Sequence, residues 1–177
     1  MPLFTAQAKK TQFDTQEVLD RIRSVIRNTT TPSWLGSVPR NFGDTSAGTI
    51  KADEWRSLAT VYLPIALISL WGQDDCASEL RAVLDHTMHL VSAVYLACTR
   101  TTTTTRASTY RTHIASYVGK LSAVYPNFDL RPNHHASFHI YEYLNLFGPV
   151  HSWWTFPFKR LIGVLQRLPS NHKSGQS

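Results

Sequence analysis

Cysteine is scarce in this sequence, with only Cys76 and Cys98 among 177 residues. The two residues bracket one helical pattern and would lie about 33 Å apart on a continuous helix, which is far beyond the reach of a disulfide. The N-terminal stretch MPLFTAQAKKTQFD also lacks the apolar core of a signal peptide. A disulfide framework is therefore excluded, and a reducing intracellular compartment is expected.

Long hydrophobic runs are absent as well. The longest apolar run, LATVYLPIALISLW from Leu58 to Trp71, is interrupted by Pro64. Because a bilayer span needs about 20 apolar residues, this run predicts a mostly buried helix and no membrane association. The sequence also has no Gly-x-Ser-x-Gly elbow and no phosphate-cradling glycine loop. The residues alone therefore indicate no active site.

The chain does have a globular composition, 42% hydrophobic and 11% aromatic, and a formal net charge of +6. This charge favours an anionic partner, with nucleic acid as the first candidate. Between residues 41 and 130, seven Lys/Arg are balanced by eight Asp/Glu, whereas from Arg131 onward only Glu142 opposes the cations. The candidate nucleic-acid contacts in this C-terminal part are Arg131, Lys159, Arg160, Arg167 and Lys173.

Apolar residues recur at helical spacing and no stretch alternates like a strand, so the expected fold is an all-α bundle of about six helices. The first helix is DTQEVLDRIRSVIRN, capped by Asp14, and the last begins at Pro157. The tract TRTTTTTR, Thr99 to Arg106, is expected to form the bend between two antiparallel helices. The other predicted helices run from about Lys51 to Trp71 with a kink at Pro64, Ala77 to Thr99, Ser108 to Val124, and His135 to Phe147.

This pattern predicts three parts: an N-terminal helix and Pro/Gly-containing linker at 1–49, a helical domain at 50–168, and a disordered polar tail at 169–177. Asp74 and Asp75 are expected to lead into the third helix and cap it. An apolar face on the last helix is expected to dock, and most of the aromatic run before it should be buried. The face comprises Phe158, Leu161, Ile162, Leu165 and Leu168, and the run includes Trp153, Trp154 and Phe156.

His135 and His139 stand four residues apart on one helix face, a spacing that can hold zinc when further ligands are supplied. No cysteine lies nearby and no glutamate falls between them. The favoured interpretation is local hydrogen bonding at a helix start, and a zinc enzyme is the least favoured function. The carboxylates show no spacing typical of a magnesium site, so no cofactor is predicted.

Two stretches carry a resemblance to a known family: KADEWRSLATVYLPIALISLWG and PNHHASFHIYEYLNLFGPVHSWWTFPFKRLIGVLQRLPSNHKSG. They resemble the C-terminal part of large transposase-like proteins of mushroom-forming basidiomycete fungi, which are similar to the transposases of plant CACTA elements. The resemblance implies an RNase H-like core interrupted by a long helical insertion. It also implies magnesium-dependent DNA strand transfer by three acidic residues, and a nuclear location.

Lys159 departs from that family's pattern. The third acidic residue is usually the glutamate of an FPFERLIG type motif, but this sequence reads FPFKRLIG, and the segments that bear the first two are absent. A protonated lysine cannot ligate Mg²⁺. The expectation is a non-catalytic, degenerate fragment, consisting of the helical insertion and the terminal helix of the core, with at most nonspecific DNA binding. The alternative is a helical module for protein interaction or self-association through exposed apolar faces.

Overall fold

The computed structural model describes residues 15–165 and 167, with the backbone alone at 156–160, and every regular element in this part is helical. The expected all-α class with six helices is confirmed. Residues 1–14, including the proposed cap Asp14, and the tail 169–177 lie outside the described part. The helices are α1 (Thr15–Asn28), α2 (Ala52–Ser57, Leu58–Tyr62 and Leu63–Trp71 in succession), α3 (Ser78–Ala97), α4 (Thr104–Val124), α5 (Pro132–Phe147) and α6 (Phe156–Leu165).

Helix α2 is irregular in its middle. Its segment Leu58–Tyr62 is π-helical, and there the N–H of Leu63 donates to the carbonyl of Leu58, five residues earlier. Because Pro64 has no N–H to donate, the regular hydrogen-bonding pattern is interrupted there, and the register changes in the turn just before it. The π-helical segment thus lies just before Pro64, where the sequence predicts a kink.

The threonine tract forms the expected bend, but α4 begins at Thr104 and not at Ser108. The Thr103 hydroxyl caps the helix by accepting a hydrogen bond from the backbone N–H of Arg106 at 3.2 Å. A cap of this kind offsets the modest cost of β-branched residues in the first turn. Helix α5 likewise begins before His135, at Pro132, whose fixed φ suits the first helical position.

The prediction that Asp74 and Asp75 cap the third helix is wrong. Helix α3 begins at Ser78, and its N-cap residue is Ala77, which provides no side-chain hydrogen bond. A capping carboxylate has to occupy the N-cap position itself, and both aspartates precede it in the connecting turn.

Helices α3 and α4 pack side by side in opposite directions. His86 stacks on Tyr117 and His89 contacts His113, so later residues of α3 meet earlier residues of α4. Small residues near the bend allow close approach, and α5 covers the pair through Leu144. The buried cluster comprises Ala93, Ala97, Ala107, Tyr110, Ile114 and Leu144.

Helices α1 and α2 share a second core, and a third cluster joins α2 to α3. Segment 1–49, predicted as a helix and linker, contributes four buried residues to the second core, including Val38 from the loop after α1. The third cluster packs Trp71 of α2 against Leu84 of α3. The second core comprises Ile22, Val25, Ile26, Val38, Leu58, Tyr62 and Ala66.

The apolar face of α6 is exposed. Leu161, Ile162 and Leu165 are 56%, 52% and 54% exposed, and none of the three core clusters includes a described side chain of this helix. These residues therefore do not dock on the rest of the described chain, whose bundle buries its apolar side chains against one another. Of the aromatic run, Trp153 and Trp154 are half-buried, while Phe156, Phe158 and Leu168 lie outside the described side chains.

Cys76 and Cys98 lie on either side of α3, and both are unpaired thiols. In residues 15–165, no helix combines the length and the apolar character that a membrane crossing requires.

A group of histidines lies between α3 and α4. His86 is 2% exposed, and its Nε2 donates to the carbonyl oxygen of Tyr117 at 2.9 Å. The Nδ1 atoms of His89 and His113 are 3.1 Å apart, so one ring donates to the other. Burial lowers the pKa of both His86 and His89, and the charge of Lys120 also lowers both, although the hydrogen bond to Tyr117 opposes the shift at His86. Both rings are therefore held uncharged.

We expect the free energy of unfolding to fall as the pH drops below about 6.5, the ordinary pKa of histidine. Below that pH the unfolded chain takes up protons that His86 and His89, with lowered pKa, do not accept in the folded state. Stability is therefore complete above about pH 6.5 and is lost as the pH falls toward the folded pKa. Urea titrations at several pH values measure this loss. The double variant His86→Gln/His89→Gln should show a shallower dependence, and an unchanged dependence would contradict the assignment.

Candidate nucleic-acid interface

A cavity of about 730 Å³ opens where the bend between α3 and α4 meets the loop after α1. Its wall is formed by four separate parts of the chain: the loop at 29–35, helix α2 around Arg56, the segment 95–106, and His151 in the turn after α5. The volume falls within the range of roughly 300–1,000 Å³ that is typical of ligand sites.

The cavity lining is cationic. It contains Arg56, Arg100, Arg106 and His151, and no carboxylate is among its described residues. The acidic residues of α3, Glu79 and Asp85, lie in its first half, whereas the cavity lies at its end. The carboxylate of Asp53 on α2 lies beside Gly36, next to Leu35 of the lining, but it is not part of the lining itself. Three arginines in one lining create a positive potential that attracts anions.

Arg56 and His151 are held in place by Trp154. The guanidinium carbon of Arg56 lies 5.7 Å from the centre of the Trp154 ring, a cation–π contact. The His151 ring lies 4.0 Å from the same side chain, and its Nε2 donates to the carbonyl oxygen of Cys98 at 2.9 Å. That hydrogen bond satisfies one carbonyl at the C-terminal end of α3.

Cys98 lies in the same lining as the arginines. Burial raises the pKa of its thiol, although the charge of Arg56 opposes the shift. The sulfur therefore stays uncharged near neutral pH and adds no negative charge to the cavity.

The bend is fixed by hydrogen bonds. Nη1 of Arg106 donates to the carbonyl oxygen of Thr101 at 2.9 Å, and the Thr99 hydroxyl donates to that of Leu96 at 2.9 Å. Nη1 also contacts the Thr101 hydroxyl, so both bonds use the same nitrogen. Since a guanidinium has five N–H donors, the Nε and Nη2 groups of Arg106 are left to bind a ligand.

Two aromatic rings at the cavity are open to solvent. Trp34 is 78% exposed and Tyr95 is 61% exposed. Trp34 lies in a turn closed by a hydrogen bond of 3.0 Å from the Leu35 N–H to the Pro32 carbonyl. Exposed aromatic rings beside arginines are typical of surfaces on which nucleobases stack.

The candidate contacts predicted from the sequence are not gathered at this cavity. Arg131 is the N-cap residue of α5, at the far end of the 21-residue helix α4 from the bend, and Arg167 is exposed beyond α6. Neither lines the cavity. The backbones of Lys159 and Arg160 lie in α6, but their side chains, like all of Lys173, lie outside the described part.

The sequence analysis did not identify Arg56, Arg100 and Arg106, because the charge was counted over residues 41–130 as a whole and the carboxylates in that range balance the cations. One local signal was available: the tract TRTTTTTR contains two arginines and no acidic residue. No comparable signal marks Trp34 or His151, since their place in the cavity depends on tertiary packing.

The histidine pair of α5 is hydrogen-bonded locally, as expected. The Nε2 atoms of His135 and His139 are 3.3 Å apart, and Nδ1 of His139 lies 3.1 Å from Oε2 of Glu142. Within the described residues, no three His, Cys, Asp or Glu side chains are arranged to hold a metal ion. The described residues therefore do not form the magnesium centre that the resemblance implies for the transposase-like family. We derive no catalytic step from them.

Comparison with known proteins finds no match among protein-family models, curated proteins or solved structures. The fold and the site together define an all-helical protein with a cation-lined, aromatic-rimmed cavity. The resemblance to the fungal transposase-like family stays a prediction from the sequence.

Proposed function

We propose that this chain is a non-catalytic nucleic-acid-binding protein that holds the phosphate backbone at the cavity beside the α3–α4 bend. The observation that carries the proposal is the lining of Arg56, Arg100, Arg106 and His151 without a carboxylate among its described residues. The net charge of +6 supports it. From the resemblance to transposase-like proteins we further propose that the nucleic acid is DNA and that the protein is nuclear. We also propose that it derives from a transposase that has degenerated, with Lys159 in place of the expected glutamate.

Arginine suits this role because its guanidinium is permanently charged and presents a planar fork of N–H donors that matches a phosphate. Contacts to phosphate carry no sequence information, so the binding is nonspecific. Affinities of this kind are weak at physiological salt, with dissociation constants of roughly 10⁻⁴ to 10⁻⁶ M.

We expect the affinity for a fluorescein-labelled DNA oligonucleotide to fall steeply with salt. Each neutralised phosphate contributes about 0.7–0.9 to the slope of log affinity against log salt, so three arginines give a slope of roughly −2 to −3. Fluorescence anisotropy over a salt series measures it. A peptide nucleic acid of the same sequence, which lacks phosphates, is the control and should not bind. Salt-independent binding, or equal binding of the uncharged control, would contradict the proposal.

We infer self-association as a second candidate from the apolar surface of α5 and α6. Leu146 and Phe147 are 72% and 58% exposed, in addition to the exposed face of α6. Exposed apolar patches of this kind mark protein contacts. Sedimentation velocity over a range of concentrations tests this candidate: a mass that grows with concentration supports it, and a monomer at every concentration contradicts it.

A further inference from the structure

We propose that the cavity beside the α3–α4 bend selects single-stranded over duplex nucleic acid, by stacking an unpaired base on Trp34 while the arginines hold the adjoining phosphates. This inference rests on the proposed function, because it names the form of nucleic acid that the same cavity takes. It depends on three features of the lining: its concave shape, its exposed aromatic rings, and its threonine hydroxyls.

The concave shape favours an unpaired nucleotide. Four parts of the chain surround a space of about 730 Å³, which lies within the size range of sites that enclose a small ligand. A duplex keeps the faces of its bases stacked inside and offers a convex backbone, so its phosphates could contact only the rim. An unpaired nucleotide exposes both base faces and can enter.

Trp34 provides the stacking surface. Its indole is 78% exposed although it is the largest apolar side chain in the lining, and the turn from Pro32 to Leu35 holds it beside the cavity. Tyr95, on the last turn of α3, offers a second exposed ring in the same lining. Every base has a π face, so stacking on these rings is tolerant of sequence.

The lining also contains threonine hydroxyls, from the loop after α1, from α2 and from the bend. Those of Thr60 and Thr99 already donate to helix carbonyls, at 2.8 Å and 2.9 Å. A hydroxyl that donates internally still accepts a hydrogen bond from a base or sugar. Such acceptors adapt to different bases, so little sequence preference is expected. The other lining threonines are Thr29, Thr30, Thr31 and Thr101.

The test compares a labelled oligothymidylate of about 15 nucleotides with a duplex of equal length, by fluorescence anisotropy at fixed low salt. Wild-type protein should bind the single strand at least about 10-fold more tightly than the duplex. The substitution Trp34→Ala should weaken single-strand binding by roughly 5- to 100-fold and leave duplex binding nearly unchanged. Trp34→Phe, which keeps an aromatic face, should recover part of the loss.

Trp55→Ala is the matched control. Trp55 is also exposed, at 50%, but it packs edge-on against Phe42 and does not line this cavity. The Trp55→Ala variant should bind the single strand and the duplex as the wild type does. Equal affinity for the two forms, or a Trp34→Ala variant that binds like the wild type, would overturn this inference and leave the proposed function standing. Binding of neither form would overturn both.

Discussion

Reversing the charge of both arginines at the bend, Arg100→Glu with Arg106→Glu, is expected to lower the affinity for DNA by at least about 100-fold at low salt. Each substitution removes a guanidinium that we propose to bind phosphate, and puts a carboxylate that repels phosphate in the same place. Because two of the proposed phosphate contacts are lost, the slope of log affinity against log salt should also become shallower by about 1.4–1.8.

The control for this variant changes the net charge equally but lies farther along the chain, away from the bend. Arg111→Glu with Lys120→Glu alters two exposed residues of α4, neither of which lines the cavity. This control should retain most of the affinity. If both double variants lose affinity equally, the binding depends on overall charge and not on the cavity.

Arg106 also supports the bend, through its hydrogen bond to Thr101. The single variant Arg100→Glu leaves that bond in place, so it tests the site even if the double variant folds poorly. Thermal unfolding followed by circular dichroism separates the two effects. A folded Arg100→Glu variant with wild-type affinity would remove Arg100 from the proposed contacts.

Replacing Leu144 by alanine is expected to lower the free energy of unfolding by about 2–5 kcal/mol. Leu144 is 2% exposed and is the one described residue of α5 that is fully buried, within the cluster formed by α3 and α4. Its removal leaves a cavity at the point where α5 is attached. A further attachment is Tyr110, whose hydroxyl donates to the Ser137 carbonyl at 2.6 Å. Burial raises the pKa of that hydroxyl, so it stays protonated.

Leu146→Ala provides the matched control for this prediction. It removes the same atoms from the same helix at a position that is 72% exposed, so the expected change is within about 0.5 kcal/mol. Urea denaturation of the two variants and the wild type measures both. Equal effects would show that α5 does not pack on α3 and α4 through Leu144.

The cavity lies mostly outside the stretches that carry the transposase resemblance. Trp34, Arg100 and Arg106 belong to neither stretch, whereas Arg56 lies in the first and His151 in the second. The proposed binding site is therefore argued from its own charges and rings and not carried over from a family. The degenerate origin and the nucleic-acid binding are separate proposals, and each can fail without the other.

The helical class, the number of helices and their order could be predicted from the sequence because the signals are local. The 3.6-residue period of apolar positions marks each helix, and prolines and glycines mark the connections. The starts of α4 and α5 were predicted a few residues late, although Thr103 and Pro132 are themselves local start signals.

Only the tertiary structure decided where the site lies and which apolar faces are covered. Trp34, Arg106 and His151 come together because α3 and α4 run in opposite directions and the turn after α5 is bonded to Cys98. An amphipathic period shows that α6 has an apolar face, but not whether the chain covers it. Charge counted along the chain likewise cannot show which helix ends meet, since an electrostatic potential depends on distance in space and not on separation in sequence.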